Sequence, residues 1–508
     1  MKKVRIICRS SRLSLLQAEL VRQKILLVQP GTEVEIIGRT SRGDRELHVN
    51  LSALDGTDFF TEEIFDALRK NEADIAVHSL KDMSALHFFS HPAFAVVDRD
   101  DVRDIAIFNP GIVEKIKAGK TIIVGTCSPR REEMAVEFLK KALPQVHRDI
   151  KIETRSIRGN VEGRLTQLHN GKYDATILAT AGLNRLLRSK ADAHIIQELL
   201  LDKRLMLLPL IECVPAPCQG AIVAEAHPTN MEAVDLLRKI NEGGLFEDAY
   251  NEKKEAYKYG TGCLQKFGVT TLQTAHFKTL FAAGEDSQGV RFSKWSSLPN
   301  IDLSEVNLFS STDFMKDFFR YEWCDEKLSI EQPVVFIANY KAVSHQSAQE
   351  VMNDKKIYAS GTRTWYELAK QGHWVEGCAD ALGFENFLPV LQMPLLQIQK
   401  SDICILTHAE AAERWAKKGY YAVSNYRLLA EENKSIAEKI TVADFIFWSS
   451  FSQFQFYNRF SKATAVHACA GGETAALLKQ QGIKPVLFPT IKSFEEWRRS
   501  SFRPLSVV

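Results

Sequence analysis

The sequence predicts an α/β multidomain protein, and three observations lead to this fold class. The chain has 508 residues, which at roughly 150 residues per domain corresponds to three or four domains. Short apolar strands alternate with helical segments through residues 1–220. A similar alternation occurs twice in the last third of the chain. Strands that alternate with helices form mainly parallel sheets, whose ligand sites lie at the carboxyl ends of the strands.

The composition excludes several classes of protein. Hydrophobic residues make up 45% and charged residues 25% of the chain, as in soluble globular proteins. The net charge of +2 argues against a dedicated nucleic-acid binder. Nine cysteines without a CxxC pair indicate neither a disulfide framework nor a zinc site, so we expect no metal. Arg5, Arg9 and Arg12 interrupt the N-terminal apolar run, and no stretch suits a membrane span, so we expect a cytoplasmic protein.

The spacing of apolar residues predicts the individual elements. We expect strands at residues 4–8, 34–37, 74–77, 121–124, 151–154 and 175–178, and helices at 15–28 and 62–70. Residues 229–325 have a different character. There, a charged helical stretch at 231–259 leads to hairpin-like strands that extend to residue 291.

The C-terminal third contains an internal repeat. Gly361-Thr362-Arg363-Thr364 matches Gly471-Gly472-Glu473-Thr474, and the same spacing relates the strands 334–337 and 444–447. Two similar α/β lobes explain this pattern. The alternative is chance similarity between two ordinary strand–helix units.

A carboxylate follows the predicted strand 74–77. The strand runs into His78-Ser79-Leu80-Lys81-Asp82, which places Asp82 beside a lysine at the strand end. Such a carboxylate can transfer protons or stabilise a cation. The alternative is a solvated aspartate that caps the next turn.

Small residues and arginines follow the strand 121–124. Thr126, Ser128, Arg130 and Arg131 surround the start of a helix near Pro129, which suits the binding of a carboxylate or phosphate. The alternative is an ordinary helix start with surface arginines. Further arginines follow later strands and indicate a multiply anionic small ligand: Arg155, Arg158, Arg164 and Arg185.

Cys263 lies in the segment Gly260-Thr261-Gly262-Cys263. The neighbouring glycines allow a sharp turn that leaves the sulfur accessible, so this thiol could be a covalent attachment point. The alternative is a small hydrophobic residue at the start of a strand.

These segments match a known family in their order along the chain. They are Arg9-Ser10-Ser11 with Gln17, Thr40-Ser41-Arg42-Gly43-Asp44, residues 73–82, residues 125–131, Arg158-Gly159-Asn160 with Arg164, residues 181–185, Gln219-Gly220-Ala221, and Gly262-Cys263. Together they resemble porphobilinogen deaminase, also called hydroxymethylbilane synthase. The likeness covers residues 1 to about 320. One departure is the loop 55–60, followed by Glu62, which has lost the basic charge usual in this family.

The resemblance implies a fold and an activity. Family members join four porphobilinogen units head to tail, release ammonia and form hydroxymethylbilane. Their fold has two hinged periplasmic-binding-protein-like lobes and a small α+β domain that bears the cofactor cysteine. Transferred to this chain, domain 1 covers about 1–98 and 205–228, domain 2 about 99–204, and domain 3 covers 229–325.

The resemblance also implies roles for individual residues. Cys263 would carry a dipyrromethane cofactor through a thioether bond, and Asp82 would protonate the leaving amine and stabilise the azafulvene cation, with Lys81 beside it. The implied cofactor-binding residues are Cys263, Ser79, Lys81, Asp82, Thr126, Ser128, Arg130, Arg131, Arg158 and Gly159. The implied substrate-binding residues are Arg9, Ser11, Arg164, Arg185, Gln17 and Phe60.

The C-terminal repeat resembles uroporphyrinogen-III synthase, which has two α/β lobes. The resemblance assigns residues 326–508 to this synthase-like region and places Tyr426, Ser449 and Thr474 at the cleft between its lobes. Only residues 314–332 separate the deaminase-like part from the strand 334–337, so we expect a shortened first arm in one lobe.

We therefore expect a bifunctional enzyme of tetrapyrrole biosynthesis. It would convert porphobilinogen to hydroxymethylbilane and then cyclise this product, with inversion of the D ring, to uroporphyrinogen III. Its partners would be polycarboxylate pyrroles, with no nucleic acid and no membrane, and the protein would be a monomer. The alternatives are a deaminase with an inactive synthase-like region and a non-catalytic protein that binds small anions.

Overall fold

The computed structural model describes most of the chain. The described residues are 2–40, 62–90, 93–147, 149–260, 265–301, 305–314, 318–324, 328–344, 348, 351–352, 354–429 and 431–501. Cys263, Phe60 and the loop 55–60 lie outside them. The chain divides into two compact units. The first comprises Met1–Thr271, Leu280–Lys294 and Met393–Leu395, and the second comprises Leu272–Thr279, Trp295–Gln392 and Leu396–Val508.

The first unit begins with a five-stranded sheet of order β2-β1-β3-β10-β4. Its strands are β1 (Lys3–Arg9), β2 (Glu33–Arg39), β3 (Ile75–Ser79), β4 (Phe94–Arg99) and β10 (Ala221–Glu225). The first three strands are parallel, whereas β10 is antiparallel to both β3 and β4. The helices around this sheet are α1 (Arg12–Val28), α2 (Glu62–Arg69), α3 (Ala85–Ser90) and α9 (Met231–Ile240).

Helix α9 belongs to the core of this first sheet. Its Leu236 and Leu237 are buried in one cluster with Val21 of α1 and Val4 of β1. The sequence prediction had placed this helix in domain 3. The apolar face of α9 is buried against the first lobe, so the first lobe extends beyond residue 228.

A second five-stranded sheet has the order β7-β6-β8-β5-β9. Its strands are β5 (Asp104–Phe108), β6 (Ile122–Gly125), β7 (Ile152–Arg155), β8 (Ala175–Ala179) and β9 (Arg204–Leu207). Its helices are α4 (Ile112–Lys117), α5 (Pro129–Ala142), α6 (Val161–His169), α7 (Thr180–Arg188) and α8 (Ala193–Leu200). Strand β5 is antiparallel to β8 and β9, so both sheets are mixed rather than purely parallel. The predicted return to domain 1 at residue 205 falls within β9 of this second sheet.

A small three-stranded sheet follows the second helix of the charged stretch. It contains β11 (Lys266–Gln273), β12 (Lys278–Glu285) and β13 (Arg291–Trp295), and α10 (Gly243–Tyr257) precedes it. The predicted helix 231–259 is thus two helices. Asn241 lies between them, and its side-chain oxygen accepts a hydrogen bond from the Val96 amide at 2.9 Å, which ties the break to β4.

Glu252 ties α10 to the first lobe. It is fully buried, and its two carboxylate oxygens accept hydrogen bonds from the guanidinium of Arg99, each at 2.9 Å. The same carboxylate accepts the backbone amides of Cys218 at 2.7 Å and Thr271 at 2.8 Å. One carboxylate therefore connects β4, the return segment before β10, and β11.

The second unit contains two parallel sheets. The first has the order β14-β22-β23-β24 and the second β18-β17-β16-β19-β20. The strands are β14 (Leu308–Ser310), β16 (Val334–Ile337), β17 (Lys356–Ala359), β18 (Val375–Cys378), β19 (Ile403–Thr407), β20 (Tyr421–Ser424), β22 (Phe445–Trp448), β23 (Val466–Ala470) and β24 (Val486–Phe488). An antiparallel pair, β15 (Arg320–Trp323) and β21 (Tyr426–Leu429), lies on the two chain segments that run between these sheets.

Helices surround both sheets of the second unit and reproduce the predicted repeat. They are α11 (Thr362–Lys370), α12 (Phe384–Leu391), α13 (Ala409–Lys417), α14 (Lys434–Val442), α15 (Phe451–Tyr457), α16 (Glu473–Gln480) and α17 (Ile491–Ser501). Gly361 caps α11 after β17, and Gly472 caps α16 after β23. Two α/β lobes of similar element order are thus present.

The arm that was expected to be shortened contains a three-residue strand, β14, and a short 3-10 helix, Ser311–Phe314. Strand β14 pairs in parallel with β22, with Phe309 opposite Ile446, and the side chains of both are buried in one core. The sequence prediction had assigned this segment to deaminase domain 3. The chain passes from the first unit to the second at Trp295, whereas the predicted boundary was residue 326. The reason is that residues after Trp295 pack on the C-terminal lobe.

None of the described helices has both the length and the apolar composition needed to cross a bilayer.

Replacing Glu252 with Gln should destabilise the first unit by about 3 to 5 kcal/mol, because the buried Arg99 loses its counter-charge. Urea-induced unfolding followed by circular dichroism measures this loss. Glu247→Gln, at an exposed position of the same helix, is the matched control. Equal unfolding midpoints for the two variants would contradict a stabilising role for the ion pair.

Candidate active site

The turn after β3 holds the predicted catalytic pair. Ser79 ends the strand, and a short 3-10 helix, Leu80–Asp82, follows. Leu80 is fully buried and anchors the turn, while Lys81 and Asp82 are half-buried. Burial lowers the pKa of Lys81, and the neighbouring Asp82 carboxylate opposes this shift. A lysine and a carboxylate are therefore held side by side at the end of β3.

A buried carboxylate that the sequence analysis did not single out binds two of the predicted arginines. Asp104 begins β5 and is 1% exposed. Its Oδ2 accepts a hydrogen bond from Arg130 and its Oδ1 one from Arg131, both at 2.7 Å. Gln219 also donates to Oδ1, at 2.9 Å. The two arginines, although buried, are thus fixed by one acidic side chain.

The electrostatics of Asp104 follow from these contacts. Burial raises the pKa of its carboxyl, but the charges of Arg130 and Arg131 outweigh burial and hold the pKa well below its usual range. Arg130 donates a further hydrogen bond to the carbonyl of Val214 at 2.7 Å, and Arg131 donates one to Ile177 at 3.0 Å. Two cations face one carboxylate here, which leaves an excess of positive charge.

The loop after β7 supplies a second group of cations. Asn160 caps α6 by accepting the Gly163 amide, and Arg164 donates from Nε to the Gly159 carbonyl at 2.9 Å. Gly159 has a φ of +111°, which favours glycine. Burial lowers the pKa of Arg164, and the charges of Arg131 and Arg158 lower it further.

The predicted residues of the cleft influence one another electrostatically. The charges of Cys127 and Asp82 raise the pKa of Arg164, against the effect of burial. The charge of Arg131 lowers the pKa of both Arg164 and Lys81. The charges that act on one another in the first unit are thus those of Lys81, Asp82, Arg131, Arg158 and Arg164.

Hydroxyl groups lie at the start of α5. Thr126 is buried, and its Oγ1 accepts the Ser128 amide at 3.2 Å. Ser128 precedes Pro129 at the N-terminus of the helix, and its side chain makes no capping hydrogen bond. Its hydroxyl is therefore not used by the helix, as expected of a residue that binds a ligand.

Four of the predicted substrate-binding residues lie on elements of the first unit. Arg185 is buried and donates to Asp98 at 2.9 Å and to the Gly220 carbonyl at 2.6 Å, which gives it a structural role that the sequence did not predict. Ser11 caps α1 by accepting the Ser14 amide. Gln17 is buried in α1, and Arg9 ends β1. Their predicted contacts with substrate remain predictions.

The three predicted synthase residues lie on different elements of the second unit. Tyr426 begins β21, is 1% exposed, and its ring lies 5.4 Å from that of Trp323; burial raises the pKa of its hydroxyl. Ser449 follows β22 and donates to the side-chain oxygen of Gln453 at 2.8 Å. Thr474 lies in the first turn of α16.

The residues present fit a polycarboxylate cofactor. The Nε of Arg131 is buried and has no hydrogen-bond partner among the described residues. Lys81, Arg158 and Arg164 add positive charge to the same cleft. Carboxylates bind such groups strongly, because hydrogen bonds between ions are stronger than neutral ones. No group of three or more metal-binding side chains occurs in the described part of the chain.

Comparison with known proteins decides the family. A model of the "Porphobilinogen deaminase, dipyromethane cofactor binding domain" matches residues 4–235. The porphobilinogen deaminase of Nitrosomonas europaea is 34% identical over 269 residues, which cover 53% of this chain and 79% of that protein. The chain belongs to the porphobilinogen deaminase family. The probable porphobilinogen deaminase of Methanocaldococcus jannaschii is 35% identical over 266 residues, covering 52% and 82% of the two chains.

The similarity is confined to about half of this deaminase chain. The matched domain binds a dipyrromethane cofactor, which agrees with the cationic cleft. A solved structure described as a periplasmic transporter matches 50% of this chain and 96% of its own chain, at 12% identity and a TM-score of 0.29.

Replacing Asp104 with Asn should lower the urea midpoint of unfolding at pH 7, because two buried arginines lose their shared counter-charge. The folded-state pKa of Asp104 lies below its usual value near 3.8. Its stabilisation is therefore fully present above that pH and is lost as the pH falls further, since the unfolded chain takes up the proton first.

The difference in midpoint between wild type and D104N should thus be constant from about pH 5 to 8 and shrink only below about pH 4. Asp149→Asn, at an exposed position, is the control and should change neither the midpoint of unfolding nor its dependence on pH. A difference that grows towards acidic pH would contradict the assigned ion pairs.

Proposed function

We propose that the cleft around Asp82 is where this deaminase joins four porphobilinogen units into hydroxymethylbilane. The observation that supports this assignment is the position of Asp82 beside Lys81, in a cleft that also holds Arg131 and Arg164. The deaminase family supplies the overall reaction. The roles of individual residues are our proposal.

Asp82 has the chemistry that the reaction needs. Loss of ammonia from porphobilinogen requires a proton on the leaving amine, and a half-buried carboxyl group can supply it. The carbon that loses the amine becomes electron-poor, and the resulting carboxylate then lies beside the developing positive charge. Lys81 lies beside Asp82 in the same short 3-10 helix.

The arginines of the cleft suit the side chains of the substrate. Each pyrrole carries an acetate and a propionate group, so a growing chain accumulates negative charge. Arg158 and Arg164 follow β7, while Arg130 and Arg131 follow β6, so carboxylates can be bound from both loops. The dipyrromethane cofactor, which we propose is attached to the sulfur of Cys263, supplies the pyrrole terminus to which the first substrate is joined.

Asp82→Asn should reduce turnover of porphobilinogen by about 10²- to 10⁴-fold, the range expected for the loss of one acid–base group. Ammonia release measures turnover, and intact mass shows whether the cofactor remains. Asp235→Asn, which removes an exposed carboxylate paired with Arg238, is the matched control. Turnover of D82N within twofold of this control would refute the catalytic role of Asp82.

We further propose that the second unit cyclises hydroxymethylbilane to uroporphyrinogen III. Two parallel α/β lobes and the antiparallel β15–β21 pair support this second function. Tyr426 lies on that pair, and Ser449 and Thr474 lie after strands of one lobe. Ring closure with inversion depends mainly on how the substrate is folded, so shape and backbone donors would perform most of this work.

Incubation of the full-length protein with porphobilinogen should therefore give mainly the type III isomer of uroporphyrinogen. Chromatographic separation of the isomers measures the ratio. Tyr426→Phe should shift the ratio towards type I, whereas Tyr421→Phe, at a half-exposed position on β20, should not. A wild-type protein that yields only type I would show that the second unit is not a working synthase.

A further inference from the structure

Three titratable side chains form a cluster in the first lobe. Glu225 of β10 is fully buried, and its Oε2 lies 2.9 Å from the Nε2 of His87 on α3. Its Oε1 lies 3.3 Å from the Nε2 of His78 on β3. The side chain of His78 is 5% exposed and that of His87 is 18% exposed. One buried carboxylate is therefore within ion-pair distance of two imidazoles.

The pairing of β3 with β10 places the first imidazole. The two strands are antiparallel and His78 lies opposite Val223, so Glu225 is two residues further along β10. A residue and its diagonal neighbour, two positions away on the next strand, lie on the same face of a sheet. The register therefore directs His78 and Glu225 to one face, and β10 is shielded because it lies between β3 and β4.

The second imidazole comes from the helix that follows the turn. The backbone amide of His87 donates to the Ser84 hydroxyl at 3.1 Å, which ties the start of α3. The His87 ring packs edge-on against Phe65 of α2, with ring centroids 4.8 Å apart and ring planes at 82°. This packing favours the ring orientation in which Nε2 faces Glu225.

The two imidazoles bracket the turn that carries the proposed acid–base group. His78 precedes Asp82 by four residues, and His87 follows it by five. The same carboxylate thus contacts the chain on both sides of the 3-10 helix Leu80–Asp82. Its position on β10, a strand inside the sheet, makes it a fixed point for both ends of the turn.

The chemistry of the three groups strengthens these contacts. A fully buried carboxylate is costly unless its charge is compensated, and an imidazole compensates it when both ring nitrogens carry a proton. The hydrogen bond between Glu225 and a protonated His87 is then charge-assisted and roughly twice as strong as a neutral one. Glutamine at position 225 retains an acceptor oxygen but loses the charge.

We propose that Glu225 is a positioning residue of the deaminase reaction, which holds both ends of the catalytic turn through His78 and His87. It fixes the place of Asp82 relative to the substrate without touching the substrate itself. Placement matters because a displacement of about 1 Å at a reacting group can reduce a rate by about 10²-fold. This inference rests on the proposed role of Asp82.

A double-mutant cycle with Asp82→Asn separates positioning from a general structural role. Turnover of porphobilinogen by the full-length protein is measured as ammonia release per cofactor-bearing molecule, counted by intact mass. Glu225→Gln should lower kcat by about 10- to 100-fold. It should leave KM within about twofold, because the arginines proposed to bind the substrate carboxylates follow strands of the other sheet.

The D82N background gives the deciding comparison. There, E225Q should change turnover by less than about threefold, since the group that Glu225 positions is already absent. A purely structural Glu225 would instead lower turnover by the same factor in both backgrounds, and that result would overturn the proposal.

His87 provides a second variant that leaves the buried carboxylate in place. His87→Gln should lower kcat by about tenfold, and the double variant E225Q/H87Q should be within about threefold of E225Q alone, because both changes break one contact. Glu198→Gln and His194→Gln, at exposed positions of α8, are the matched controls and should leave kcat unchanged. Losses of kcat that multiply in the double variant would contradict a shared contact.

Failure of the proposed function has a different signature from failure of this inference. If D82N turns over porphobilinogen as fast as its own control Asp235→Asn, the role of Asp82 is refuted, and the positioning role of Glu225 with it. If D82N is slow but E225Q is as fast as E198Q, Asp82 keeps its role and only the positioning role of Glu225 is refuted.

Discussion

The ion pairs of Asp104 are the interactions on which the deaminase cleft depends. Arg130 and Arg131 are consecutive in the first turn of α5, yet both reach this one carboxylate because each uses a different oxygen. A second donor of Arg130 reaches the carbonyl of Val214, and a second donor of Arg131 reaches the carbonyl of Ile177. The start of α5, with the hydroxyl of Ser128 beside it, is thereby fixed to β5 and β8 before any ligand binds. Because these cationic side chains are already in place, no free energy is needed to rearrange them when an anion binds.

The near-neutral net charge of the chain conceals where its cations lie. Arg99 and Arg185 have carboxylate partners within the fold and do not contribute free charge to a ligand. Lys81 and Arg164 are different, because burial and neighbouring arginines both lower the pKa of each side chain. Cations that depress one another in this way indicate an excess of positive charge, which an anionic ligand relieves. The balance of +2 is therefore an average over paired surface charges and a concentrated cationic cleft.

The sequence predicted the C-terminal repeat and three strands in each of the two N-terminal sheets, because apolar runs of this length and helix-start glycines leave a local signature. The strands that it did not predict in these sheets are β4, β5, β9 and β10. It could not predict β14, since three residues are too short for a recognisable period. Asp82 and the arginines of the cleft were singled out by their positions after predicted strands, and a family resemblance implied their roles. Asp104 and Glu225 were missed because an acidic residue at either end of an apolar strand is usually exposed. Only the tertiary contacts show that both are buried.

The glycines that revealed the repeat have a structural reason within the second unit. Gly361 and Gly472 cap the helices α11 and α16, and both lie against the turn that contains Ala381. A Cβ on Gly472 would lie 3.2 Å from the Ala381 carbonyl oxygen, and one on Gly361 would lie 3.4 Å from its amide nitrogen. Asp380 and Ala381 both have positive φ values, of 51° and 59°, which side-chain-bearing residues rarely adopt. Strain of this kind persists only where the surrounding structure requires it. The two lobes thus contact each other at a strained turn, and the glycine at the start of α16 allows the backbones to approach closely there.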